Sequence, residues 1–95
     1  MEIIKGFPAT SQDGYQLNVT RIMEHAVRNF GRQEIVSRRP DGSLFTYTYA
    51  QAHERMKRLA NGLKDIGVKV GDRVGVLAWN SHENYEIYFG LPGLG

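Results

Sequence analysis

The stretch GVKVGDRVGVLAWNSHEN spans residues 67–84 and carries the sequence's most suggestive spacing. Gly67, Gly71 and Gly75 precede a helix-start signal at Asn80. Glycines at a strand-to-helix junction let backbone N–H groups close on a phosphate at the helix N-terminus. Here the glycines come before and inside the apolar run. The junction itself, AWNSHE, holds neither glycine nor lysine. The spacing instead makes Gly67 a helix C-cap and Gly71 a turn residue. Gly75 reads as relief for a close backbone approach in a buried strand.

Other residue types bear chemistry in isolation. His25, His53 and His82 lie far apart and share no ligand spacing, so they read as surface or edge histidines. Glu83 and Glu86 form a carboxylate pair, but near a helix start they more simply complement the helix dipole. Arg55, Lys57, Arg58 and Lys64 make one helix face basic, partly offset by Glu54 and Asp65. Trp79, Tyr85, Tyr88 and Phe89 could line an apolar ligand tunnel, yet such clusters more often build core. No catalytic constellation emerges from these residues.

The elements that must position them follow from periodicity. Val19, Ile22, Met23, Ala26, Val27 and Phe30 repeat every three to four residues, which predicts an amphipathic helix. Asn18 is its expected N-cap, Leu17 staples onto Ile22, and Gly31 suits a left-handed C′ position. Glu34–Arg38 and Leu44–Thr48 are β-prone runs around the turn RPDGS. They predict a hairpin, or two neighbouring strands with a short loop.

A second helix runs through TYAQAHERMKRLANGLKDIG. Thr48 and Gln51 have capping-box spacing, and Ala52, Met56, Leu59, Ala60, Leu63 and Ile66 form its buried stripe. Glu54 and Arg58 are placed for an i, i+4 ion pair. Gly67 with Val68 folding back on Leu63 predicts a Schellman ending. RVGVLA reads as a strand buried on both faces, followed by a helix capped by Asn80 with Glu83 at N3 and ended by Pro92. The order is helix–strand–strand–helix–strand–helix. It implies an α/β fold with a right-handed crossover in a parallel or mixed sheet. Residues 1–16, rich in glycine, proline and small polar types, read as an extended N-terminal arm.

Composition bounds the function classes. Ninety-five residues make one domain at most, and 41% hydrophobic with 23% charged residues is ordinary globular usage. A net charge of +2 is too small by itself to mark a nucleic-acid binder. With no cysteine, disulfides and thiol catalysis are excluded. No apolar run approaches the ~18 residues of a membrane span, and the N-terminus has no secretory apolar core, so the expected location is cytoplasmic. The apolar, glycine-rich ending YEIYFGLPGLG reads as a cut inside a larger fold.

Spacing across most of the chain carries a family resemblance. Thr48, Tyr49, Arg55, Leu59, Ala60 and Leu63 are followed by Gly67, Val68, Gly71, Asp72, Arg73 and Val74, then Asn80, Ser81 and Glu83. In this order the sequence resembles the N-terminal segment of the adenylate-forming (AMP-binding) acyl-CoA synthetases. The ending AWNSHENYEIYFGLPGLG is most similar to the medium- and long-chain fatty-acid–CoA ligases.

The resemblance implies a two-step reaction. ATP and a carboxylic acid give an acyl-adenylate and pyrophosphate, and coenzyme A then takes the acyl group. ATP, Mg²⁺ and coenzyme A are thus implied for the parent enzyme. The family's phosphate loop, ribose-binding acid, hinge and catalytic lysine fall downstream of Gly95 in relatives. No catalytic, cofactor-binding or metal-ligating residue is carried over to this segment. Its implied role is scaffold, residues 17–95 being the first part of the large N-terminal domain. Its partners are the rest of the parent chain, with a homodimer through the arm and peripheral membrane attachment left open, and no nucleic acid. The alternatives are an adenylate-forming enzyme for an aryl or amino acid, or a free-standing module using the basic face.

Overall fold

The computed structural model describes residues 3, 4, 6 and 18–94. The staple by Leu17 and most of the expected arm lie outside the described residues. Helix α1, Val19–Phe30, starts where Asn18 Oδ1 accepts the Arg21 N–H at 3.2 Å. Its apolar stripe is only partly covered: Met23 is buried, Val19, Ala26 and Val27 are half-buried, and Ile22 and Phe30 are exposed. Gly31 is not left-handed as expected but continues right-handed at φ −57°. The physical reason for glycine there is room. A Cβ would lie 2.7 Å from the Val27 carbonyl oxygen, while the Gly31 carbonyl accepts the Ala50 N–H at 3.1 Å.

Strands β1, Glu34–Arg38, and β2, Leu44–Thr48, form an antiparallel hairpin pairing Glu34 with Thr48 and Arg38 with Leu44. Gly42 takes φ 88° in the turn. Asp41 Oδ1 fixes it by accepting the Ser43 N–H at 2.9 Å and hydroxyl at 2.6 Å. Alternation turns Ile35, Ser37, Phe45 and Tyr47 to the covered face.

Helix α2, Tyr49–Asp65, begins with a full capping box. Gln51 N–H reaches Thr48 Oγ1 at 3.2 Å, and Thr48 N–H reaches Gln51 Oε1 at 2.9 Å. Ala52 and Met56 are buried, but the stripe thins along the helix until Ile66 stands exposed. The Schellman ending forms as expected: Val68 N–H bonds the Leu63 carbonyl and Gly67 N–H the Lys64 carbonyl, each at 3.0 Å, with Gly67 at φ 105°.

The expected strand at 73–78 is not present. Among the described residues the sheet consists of β1 and β2, so neither the crossover nor a parallel pairing forms. A strand exists only where a neighbour satisfies its backbone groups, and here none does. Val74, Val76 and Leu77 are exposed, and Gly75 meets no close backbone.

Helix α3, His82–Gly90, is capped by Ser81, not Asn80. Ser81 Oγ accepts the Asn84 N–H at 3.4 Å. Pro92 follows in a 3₁₀ turn, Leu91–Leu94, so the α-helix ends before it as expected. The core comprises Met23, Tyr47, Ala52 and Met56, with Ile35, Phe45, Tyr85 and Phe89 packed against it. At Gly90 a Cβ would sit 3.2 Å from Met56 Cβ and 3.3 Å from its carbonyl oxygen, so α3 meets α2 without an intervening side chain.

Candidate functional site

A linked group of polar side chains lies where the hairpin, α2 and α3 meet. From α3, Glu86 is 6% exposed. Its Oε1 accepts the Arg55 Nε–H from α2 and the Tyr47 hydroxyl from β2 at 3.3 Å. The Arg55 guanidinium also lies over the Phe45 ring at 5.6 Å and the Tyr47 ring at 5.9 Å. Burial, then the Glu86 charge, pushes the Tyr47 hydroxyl well above the ordinary phenol range. The hydrogen bond to Glu86 raises Arg55 further from neutrality. Glu86 is thus a buried acceptor whose charge a half-exposed guanidinium balances.

One turn earlier stands His82, 5% exposed and stacked on Phe45 at 4.2 Å. Its backbone N–H donates to Ser37 Oγ at 2.9 Å, its Nδ1 lies 3.1 Å from the same oxygen, and its Nε2 lies 3.2 Å from Glu83 Oε1. The order hydroxyl–imidazole–carboxylate has the connectivity of an activated nucleophile. A nucleophile needs access and donors aimed at a developing oxyanion. Ser37 is buried, and its oxygen is already occupied by the His82 N–H. The relay therefore holds α3 against β1.

The same contacts answer whether the α3 N-terminus can cradle a phosphate. The His82 N–H is taken by Ser37 and the Asn84 N–H by Ser81. Glu83 is held below the usual carboxylate range by its own backbone N–H, then by the Ser81 hydroxyl. Protein acceptors occupy the first turn, and Gly67 and Gly71, both at positive φ, serve a helix end and a turn. The residues present do not fit a nucleotide phosphate.

The remaining candidates disperse. His25 is exposed beside Asn29, and His53 sits half-buried on α2. His82, buried, departs from the surface or edge position expected for all three. Arg55 is drawn to Glu86, and Lys57 pairs with Glu54 at 3.2 Å, the position expected for Arg58. The basic face is therefore partly neutralised. Tyr85 and Phe89 join the core, but Trp79 at 85% and Tyr88 at 70% exposure do not, so these four do not gather around one tunnel. A groove of about 310 Å³ between α1, α2 and the 3₁₀ turn is lined by Met23, Met56, Ala60 and Phe89, with His53 and Lys57 among its polar residues. Among the described residues no three His, Asp or Glu side chains gather as metal ligands would. No helix among them is long and apolar enough to cross a membrane. Sequence reading missed the stripe His82–Glu86–Gly90. The signal was its i, i+4, i+8 spacing, masked by the more apolar Tyr85, Tyr88 and Phe89.

A family model described as AMP-binding enzyme matches residues 23–95. A long-chain-fatty-acid–CoA ligase of Thermus thermophilus is 43% identical over 94 residues, covering 99% of this chain and 17% of that protein. A 3-methylmercaptopropionyl-CoA ligase of Ruegeria lacuscaerulensis is 33% identical over 79 residues, 83% of this chain and 15% of that protein. A medium-chain-fatty-acid–CoA ligase of Ectopseudomonas oleovorans is 31% identical over 80 residues, 84% of this chain and 15% of that protein. The chain thus spans 15% to 17% of the length of these three relatives.

Proposed function

The chain belongs to the AMP-binding enzyme family, and on that premise we propose that its parent protein is an adenylate-forming fatty acid–CoA ligase. The carrying observation is the 43% identity, over nearly the whole chain, to a protein described as a long-chain-fatty-acid–CoA ligase. The reaction is ATP plus fatty acid plus coenzyme A to acyl-CoA, AMP and pyrophosphate. Activation works because the carboxylate oxygen, once bonded to the α-phosphorus, leaves as part of AMP, a far better leaving group than oxide. When bound, ATP with its metal supplies the electrophilic phosphorus, and coenzyme A supplies the thiol.

Within this reading, residues 17–95 are scaffold. The His82 and Asn84 N–H groups at the start of α3 go to Ser37 and Ser81, which supports that reading. Residues 73–78 become a strand when neighbouring strands of the parent domain pair with them, completing a right-handed crossover from β2 through α2. The exposed Val74, Val76 and Leu77 support that reading. By the same reading the parent works in the cytoplasm, and the arm at residues 1–16 supports homodimer contacts.

The decisive experiment expresses the full open reading frame and follows ATP–pyrophosphate exchange with fatty, aryl and amino acids. Exchange with fatty acids supports the reading, and exchange confined to aryl or amino acids rejects the substrate class. The 95-residue chain alone is expected to give none, and exchange above background would overturn its scaffold role.

A further inference from the structure

The phase of the hairpin's hydrogen bonds tells its two edges apart. Arg39 N–H bonds the Ser43 carbonyl at 2.8 Å, and Tyr49 N–H bonds the Gln33 carbonyl at 2.9 Å. In the observed register these bonds make Ile35 with Tyr47, and Ser37 with Phe45, the closely bonded pairs. The backbone groups of the alternate residues therefore point away from the hairpin. They belong to Glu34, Val36 and Arg38 on β1 and to Leu44, Thr46 and Thr48 on β2. The Thr48 N–H fits this phase, because it leaves the hairpin for Gln51 Oε1 of α2. Among the described residues nothing pairs with the backbone groups of Leu44 and Thr46.

Sheets guard an open edge with charge, proline or a bulge, because an unguarded one is a template for pairing. The β1 edge has Glu34 and Arg38 at its outward positions, whereas Leu44, Thr46 and Thr48 carry no charge. A groove of about 440 Å³ lies beside the β2 edge, between Thr46 and the side of α2 that holds Gln51, Arg55 and Arg58. A strand edge flanked by a helix can take an extended chain as an added strand. Arg55 is paired with Glu86 and Glu54 with Lys57, while Arg58 makes no ion pair among the described residues. The groove therefore favours an acidic side chain. The strand-prone residues 73–78 leave this edge open, and the chain spans only 15% to 17% of the length of its three relatives. We propose that the outer edge of β2 receives a strand of the parent chain from beyond residue 95. Its backbone bonds Leu44 and Thr46, and one of its acidic side chains lies beside Arg58. The inference rests on the parent being longer than these 95 residues, as its relatives are, and is independent of the reaction.

Amide hydrogen exchange resolved to single residues tests it on the full-length parent, expressed from its whole open reading frame. The Leu44 and Thr46 amides are expected to exchange within about tenfold of Phe45 and Tyr47, whose N–H groups the hairpin itself bonds. Exchange of Leu44 and Thr46 at the rate of open chain, with Phe45 and Tyr47 protected, overturns the proposal. Protection that fades on dilution puts a second copy on the edge, and protection lost on deleting residues 1–16 puts that segment there. Either result overturns the assignment to the downstream chain. Arg58→Glu should speed exchange at Leu44 and Thr46 by about two- to fivefold and leave the α2 amides of Ala52 and Met56 within about twofold. Unchanged exchange at Leu44 and Thr46, or equal acceleration in α2, overturns the acidic contact.

Discussion

Helices α2 and α3 meet where Gly90 touches Met56 and where Arg55 pairs with Glu86, yet the side chains that each buries differ in kind. Helix α2 presents Ala52 and Met56, side chains that exclude water and ask little of direction. Helix α3 presents His82 and Glu86, whose partners must stand at set distances and angles. The apolar seat gives strength with tolerance of shape. The polar seat gives register, because a shift of one residue would leave a carboxylate buried without a cation.

Variants can break or sharpen this contrast. The largest expected effect is on the apolar side: Met56→Ala should cost about 2–5 kcal/mol, read from the urea midpoint of the whole chain. Next comes the contact itself. Gly90→Ala places a methyl against the Met56 backbone and should cost about 1–3 kcal/mol. Melting no earlier than the parent would show that the two helices have slack between them.

The polar side can be probed by pH. Tyr47 ionises near 10.0 when unfolded and higher when folded. Its stabilising contribution is therefore fully present below about pH 10 and is lost as pH rises toward the folded value, at up to about 1.4 kcal/mol per pH unit. Urea midpoints measured from neutral into alkaline pH should fall above that point, and Tyr47→Phe should flatten the fall. An unchanged alkaline slope in that variant would remove Tyr47 from the account.

Smaller effects belong to the helix start and surface. Thr48→Ala deletes half of the capping box and should cost about 1 kcal/mol in thermal or urea unfolding. Glu54→Gln, at the exposed pair with Lys57, should change stability by about 0.5 kcal/mol or less. A larger loss there would mean that the α2 surface is coupled to its seat.

The contrast also explains what could be read in advance. Asn18, Thr48 with Gln51, the RPDGS turn and Gly67 with Val68 work through partners two to five residues away, so their roles were legible in the sequence. Both strands have the bounds that β-propensity and turn chemistry predict. The expected strand at 73–78 failed because pairing is a property of two segments, and apolar composition describes one. Gly31 was misread because clearance from the Val27 carbonyl, not handedness, is what its position requires. The seat of α3 joins residues 31, 39 and 45 positions apart, Arg55, Tyr47 and Ser37 to their partners. No local pattern encodes such a distance. The family came through the order of short motifs, and of the residues carrying that order Thr48 and Ser81 cap helices and Gly67 ends one.

Ser37 gives the molecule a timetable. A helix is costly to nucleate, and the first N–H groups are the ones its own turns leave unsatisfied. For α3 the first of those groups finds its acceptor 45 residues upstream, on a strand that must already be paired in register to turn Ser37 inward. As the chain leaves a ribosome, β1, β2 and α2 emerge before α3 and can assemble from near neighbours. Helix α3 completes its first turn only afterwards, so its residues should have the lowest φ-values in the chain.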